Sequence, residues 1–188
     1  MTPPTLFVIE VSTREGRVGG PVAEWALARA LAHGKFKAEL VDLRDVALPL
    51  FDEPHHPRLA KYEHEPTKKW SALVKRADAF VFVMPEYNYG MPPSLLNALT
   101  YLSAEWAYKA AAFVSYGAVS GGTRGVQMAK AVMTTLKIVP IPEAVTIPFF
   151  AQSITDGVFN GGEMQEKAAS VMLDELFRWT TALAMLRT

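Results

Sequence analysis

The chain has 188 residues, 50% of them hydrophobic and 20% charged, enough apolar material to fill a core of ordinary size and too much for disorder. Its 19 basic residues are balanced by 19 acidic ones, which excludes the broad basic face of a general nucleic-acid binder and counts against a charge-steered acidic electron carrier. It contains no cysteine, which rules out disulfides, thiolate metal sites, iron–sulfur clusters and cysteine nucleophiles. Met1-Thr2-Pro3-Pro4 has neither the basic start nor the apolar run of a secretory signal, and no stretch of about 18 apolar residues is present. A cytoplasmic protein is expected, with one domain over 1–188.

Residues 5–11, Thr-Leu-Phe-Val-Ile-Glu-Val, are apolar almost throughout and predict a first strand. A loop of small and charged residues, 12–20, leads to a helix over 21–34. Pro21 suits its first turn, Ala23, Leu27, Ala30 and Leu31 make its inner stripe, and Gly34 suits the position just past its end. A short strand follows over 36–41. Residues 43–65 are rich in proline and charge and show no period, so they predict a long loop with room for a short helix. A helix resumes over 67–77 with Trp70, Leu73 and Val74 inward.

Residues 79–84, Ala-Phe-Val-Phe-Val-Met, form a continuous run that suits a strand buried on both faces. The polar, aromatic loop Pro85-Glu86-Tyr87-Asn88-Tyr89-Gly90 separates it from a helix over 92–102, where Leu95, Ala98, Leu99 and Leu102 share a face. A fourth strand is predicted over 109–115, a glycine-rich loop over 116–122, and a helix over 123–137 with Val126, Ala129, Met133 and Leu136 on one side. Val145–Ile147 is a short fifth strand between Pro142 and Pro148, followed by a loop over 149–162. The last helix, 163–186, directs Met172, Leu176, Trp179, Leu183 and Leu186 to the core. Strand and helix alternate five times. Parallel strands need right-handed crossovers, so the prediction is a three-layer, doubly wound α/β fold.

Three loops gather at the carboxyl edge of such a sheet, where ligands bind in open α/β folds. The first, Ser12-Thr13-Arg14-Glu15-Gly16-Arg17-Val18-Gly19-Gly20, combines hydroxyls, arginines and glycines ahead of a helix N-terminus, a place suited to phosphate. It is neither a Walker A loop nor G-x-G-x-x-G. The second, 85–90, offers Tyr87 and Tyr89 to stack on a planar ligand. The third, Ser115-Tyr116-Gly117 to Gly121-Gly122, lets backbone approach a ligand closely. Taken singly, each also reads as an ordinary connector. Glu86 is a lone carboxylate without a partner in view, His55-His56 lacks metal-ligand spacing, and Ser115 lacks the G-x-S-x-G context of a nucleophile elbow.

At these residues the sequence resembles the NADPH-dependent FMN reductase family, a flavodoxin-like group that includes quinone, azo-dye and chromate reductases. The strongest likeness is Pro85-Glu86-Tyr87-Asn88-Tyr89-Gly90 through Leu96-Asn97-Ala98-Leu99, similar to the family's P-E-Y-N…L-K-N-A-L-D segment. The first loop resembles the family's phosphate loop, and 109–122 its third flavin loop. Val11 stands where the family usually has glycine, Leu96 where it has lysine and Thr100 where it has aspartate.

The resemblance implies a five-stranded flavodoxin-like sheet of order 2-1-3-4-5, with FMN at the switch point between strands one and three. It implies the FMN phosphate on Ser12, Arg14, Arg17, Val18 and Gly19. The isoalloxazine would lie over Pro85, Glu86, Tyr87 and Asn88, with Ser115, Tyr116, Gly117, Gly121 and Gly122 around its other side. It further implies NADPH or NADH as co-substrate, a quinone or other small acceptor reduced by a ping-pong route, no classical catalytic side chain, no metal, and a homodimer or tetramer. The helix over 92–103, the last helix and Trp106 are the expected contacts between subunits. Three other readings share the scaffold: a flavin-dependent redox sensor that signals through a partner, a one-electron carrier, and a flavin-free enzyme acting on a nucleotide or sugar phosphate.

Overall fold

The computed structural model describes residues 2–187; Met1 and Thr188 lie outside them. Five parallel strands, β1 (Thr5–Glu10), β2 (Lys37–Asp42), β3 (Ala79–Pro85), β4 (Ala110–Tyr116) and β5 (Val139–Ile147), form one sheet of order β2-β1-β3-β4-β5. This is the expected doubly wound arrangement. α1 (Gly20–His33) and the long α6 (Glu163–Leu183) cover one face. α3 (Glu65–Lys75), α4 (Pro93–Thr100) and α5 (Thr123–Thr135) cover the other.

The pleat explains why the central strands are apolar throughout. Leu6, Val8, Val81, Val83, Ala112 and Val114 enter the core under α1 and α6, while Phe7, Ile9, Phe80, Phe82 and Phe113 enter the opposite core. Each fully buried phenylalanine contributes about 1.5–3 kcal/mol. β2 is an edge strand, and its Lys37 and Glu39 keep that edge polar.

Several expectations are corrected by the packing. β1 ends at Glu10, although Val11 still donates its N–H to Val83 O at 3.0 Å. In α1 the buried side is Val22, Ala23, Trp25, Ala26 and Ala30; Leu31 is 55% exposed, because the buried stripe is turned towards Val22, Trp25 and Ala26. Gly34 ends the helix in the left-handed conformation, as expected. Residues 43–65 contain a short helix, α2 (Leu43–Val46), and a 3-10 turn, Pro57–Leu59. Trp179 and Leu186 are exposed, whereas Met172, Leu176 and Leu183 are core. Trp106 is fully buried between Trp70 and Phe80, so it offers no surface to another subunit.

The fifth strand is three times longer than its prediction. Pro140 and Pro142 lie inside it, which an edge strand tolerates, and its register against β4 shifts between Ala111 and Phe113. Beyond it, residues 149–162 are not a plain loop. They hold a 3-10 turn (Phe150–Ser153) and a small hairpin, β6 (Ile154–Thr155) and β7 (Val158–Phe159). Asp156 and Gly157 both have positive φ, so Asp-Gly forms the tight turn that such a pair favours. No helix among the described residues is long and apolar enough to cross a membrane.

Candidate functional site

The three loops meet at the carboxyl edge of the sheet. In the first loop Ser12 is buried, and its Oγ lies 2.7 Å from the Tyr87 hydroxyl of the second. Arg17 turns back beneath the loop. Its Nη1 donates to Ser12 O at 3.1 Å, its Nε lies 2.8 Å from Glu10 Oε1, and its Nη2 pairs with Asp42. Glu10 ends β1 with only 3% of its surface exposed. Burial pushes its pKa up and Asp42 adds to that, against the pull of Arg17. Gly19 approaches Tyr116 so closely that a Cβ would sit 2.2 Å from the tyrosine hydroxyl, so no side chain fits there unless that ring moves.

The rest of this loop is left open. Arg14 is exposed and its guanidinium has no partner among the described residues. The N–H groups of Thr13, Arg14, Glu15, Gly16 and Val18 donate to no acceptor within the described chain. α1 begins without a side-chain cap and without an acidic residue in its first turn. An uncapped helix N-terminus, free amides and a free guanidinium are together donors of the kind that suit an anion.

The second loop is a tight turn. Tyr87 N donates to Gly90 O at 3.0 Å, and Gly90 N to Tyr87 O at 2.8 Å. Asn88 and Tyr89 carry φ of +48° and +66°. Asparagine tolerates that region, but tyrosine resists it. Tyr89 is 72% exposed and is held by Arg124, whose guanidinium carbon lies 3.7 Å from the ring centroid.

In the third loop Ser115 Oγ donates to Gly121 O at 2.8 Å. Gly122 has φ +90°, and a Cβ there would meet Ser115 Cβ at 2.8 Å, so position 122 accepts only glycine on both counts. Glu86 N donates to Tyr116 O, which ties the second loop to β4.

Glu86 is not poised for proton transfer. It accepts from Ser120 Oγ at 2.9 Å, from Arg124 N at 3.1 Å and from Arg124 Nε at 2.7 Å, so it caps α5 and locks two loops together. Burial works to raise its pKa, but the bonds from Arg124 and Ser120 outweigh it and hold the carboxyl below its usual range. A lowered pKa means that Glu86 stabilises the fold fully above about pH 4.5 and loses this as pH falls through the folded value. Glu86→Gln is expected to lower stability by about 1–2 kcal/mol at pH 7. Melting temperatures of the two proteins should converge as pH falls below about 4.5; a constant gap would contradict the assignment.

Of the nominated residues, Arg14, Val18 and Asn88 are exposed and Arg17, Glu86, Tyr87 and Gly117 are half-buried. Ser12, Gly19, Pro85, Ser115, Tyr116, Gly121 and Gly122 are buried and shape the loops from within. Glu10, Asp42, Arg124, Phe149 and Phe150 also belong to this edge. No local pattern marked them, because their partners are far away in sequence.

A sequence model of the NADPH-dependent FMN reductases matches residues 4–152. The chain belongs to the NADPH-dependent FMN reductase family. It is therefore an oxidoreductase of the FMN- and NAD(P)H-dependent class. It is 32% identical over 168 residues to an NAD(P)H-dependent FMN reductase from Nectria sp., covering 84% of this chain and 83% of that one. It is 32% identical over 129 residues to a quinone reductase from Pseudomonas putida, covering 63% of this chain and 67% of the other. Among solved structures, the flavoenzyme NAD(P)H:(acceptor) oxidoreductase FerB from Paracoccus denitrificans shares the fold. Its TM-score is 0.74 at 20% identity, over 95% of this chain and 98% of that one. The donor set described above fits the family's cofactor: free amides and Arg14 suit the phosphate, and the exposed turn at Asn88–Tyr89 suits a planar ring.

Proposed function

We propose that this reductase passes reducing equivalents from NAD(P)H to quinones, with donor and acceptor using one site in turn. The observation that carries this reading is the bond between Ser12 and Tyr87, which joins the anion-binding loop to the aromatic one. A phosphate tail and a planar ring can then be held by adjacent groups. Arg14 and the free amides of Thr13, Arg14, Glu15, Gly16 and Val18, with Gly19 at the start of α1, would hold the FMN phosphate. Whichever hydroxyl of the Ser12–Tyr87 pair accepts in that bond keeps its own hydrogen and can donate it to the phosphate. Pro85, Glu86, Tyr87 and Asn88 would support one side of the isoalloxazine. Ser115, Tyr116, Gly117, Gly121 and Gly122 shape the other.

Bound FMN supplies the two-electron chemistry. The protein binds, orients and keeps both substrates against the same ring. No side chain is assigned as a general acid: Glu86 is consumed by Arg124, and burial pushes the Tyr116 hydroxyl pKa far up. A homodimer or tetramer is part of this reading, with Leu96 on the exposed side of α4 available to it.

The test is initial-rate kinetics with NADPH and menadione, each varied at several fixed concentrations of the other. Parallel double-reciprocal lines are expected. Intersecting lines would show both substrates bound together and overturn the shared site.

A further inference from the structure

The segment after β5 is built against the third loop. Phe149 N donates to Ala118 O at 3.1 Å, and Phe150 N to Gly117 O. Phe149 has φ +47°, in the left-handed region that a bulky residue avoids, and the residue is still 49% exposed. Phe150 packs on Tyr116, with ring centroids 5.0 Å apart. A cavity of about 240 Å³ opens here, lined by Gly117, Ala118, Phe149, Phe150, Ala151 and Gln152. Gln152 is exposed, and its side-chain amide has no partner among the described residues.

These features combine in one place. Backbone strain is retained at positions where the surroundings over-determine it, often at ligand sites. Packing does not account for the strain at Phe149, since half of the residue faces solvent. The cavity is smaller than the roughly 300–1,000 Å³ that encloses a whole small-molecule ligand, so it suits the ring end of one. Its lining side chains are apolar except for the Gln152 amide.

The geometry points to an acceptor subsite in which Phe149 forms the aromatic wall for a quinone ring and Gln152 donates to a quinone carbonyl. This rests on the reading that FMN lies between the second and third loops. The subsite selects acceptors by their flat apolar body. Hydride from NAD(P)H and one proton from solvent account for reduction of the quinone to the hydroquinone, with NAD(P)⁺ released.

Phe149→Asn removes the ring while keeping a residue that tolerates positive φ, so the turn is preserved. Phe149→Tyr keeps the aromatic wall. The readout is the ratio of kcat/KM for menadione to that for ferricyanide, an acceptor with no ring to stack, measured beside the FMN Kd of each variant. Phe149→Asn should lower that ratio about tenfold, and Phe149→Tyr should hold it within about twofold. An unchanged ratio in Phe149→Asn, or an equal fall for both acceptors, overturns the subsite. Failure of the unmodified protein to bind FMN would instead overturn the cofactor reading on which it stands.

Discussion

Arg17→Ala is expected to lower the free energy of unfolding by about 3–5 kcal/mol, the cost of stripping the partner from buried charge. The side chains of Arg17, Glu10 and Asp42 are 15%, 4% and 14% exposed, so the guanidinium rather than bulk water is the main partner of both carboxylates. The substitution also removes the donor to Ser12 O and so loosens the turn of the first loop. Glu10 already has a raised pKa and would rise further without Arg17. A carboxyl whose folded pKa is raised penalises the fold when ionised, and the penalty fades as pH falls through that value. The deficit of the variant should therefore be largest at neutral and alkaline pH and shrink in acid. Urea denaturation at several pH values measures this. A deficit of about 1 kcal/mol or less at every pH, typical of an exposed pair, would contradict the buried network.

The second arginine of the loop should behave in the opposite way. Arg14→Ala is expected to leave stability almost unchanged, because Arg14 is exposed and pairs with nothing in the described chain. Its effect should appear in FMN affinity, which loses a charged hydrogen bond of roughly 1.5–3 kcal/mol, or about 10- to 150-fold in Kd. On the proposed reading, one loop divides its labour between a guanidinium that fixes the backbone and one that meets the anion. Charge alone does not separate them. What does is Glu10 at the end of β1 and Asp42 at the end of β2, two strands that pair in register through those residues.

That division also marks the limit of what the sequence revealed. Layers and the three loops were legible, since long apolar runs and helical periods repeat at local spacing, whereas the strand order came from the family resemblance. Gly34, Gly121 and Gly122 fall where their backbone angles require glycine. The cross-links were not legible. Glu86 meets Arg124 thirty-eight positions away, and Arg17 meets Asp42 across a crossover helix. Chain folding, not pattern, turns a lone carboxylate into a latch. The length of β5 was hidden by Pro140 and Pro142, which only its edge position permits. The Asp156-Gly157 hairpin was signalled by its own dipeptide, but the strands around it are two residues each, too short to show a period.

The account stands on one cofactor held where the three loops meet. Titrating FMN with the unmodified protein, and with Arg14→Ala beside it, tests that most directly through the quenching of FMN fluorescence. One FMN per chain with a Kd at least tenfold tighter than that of Arg14→Ala is the predicted result. No quenching by the unmodified protein, or equal affinity in the two, would contradict it.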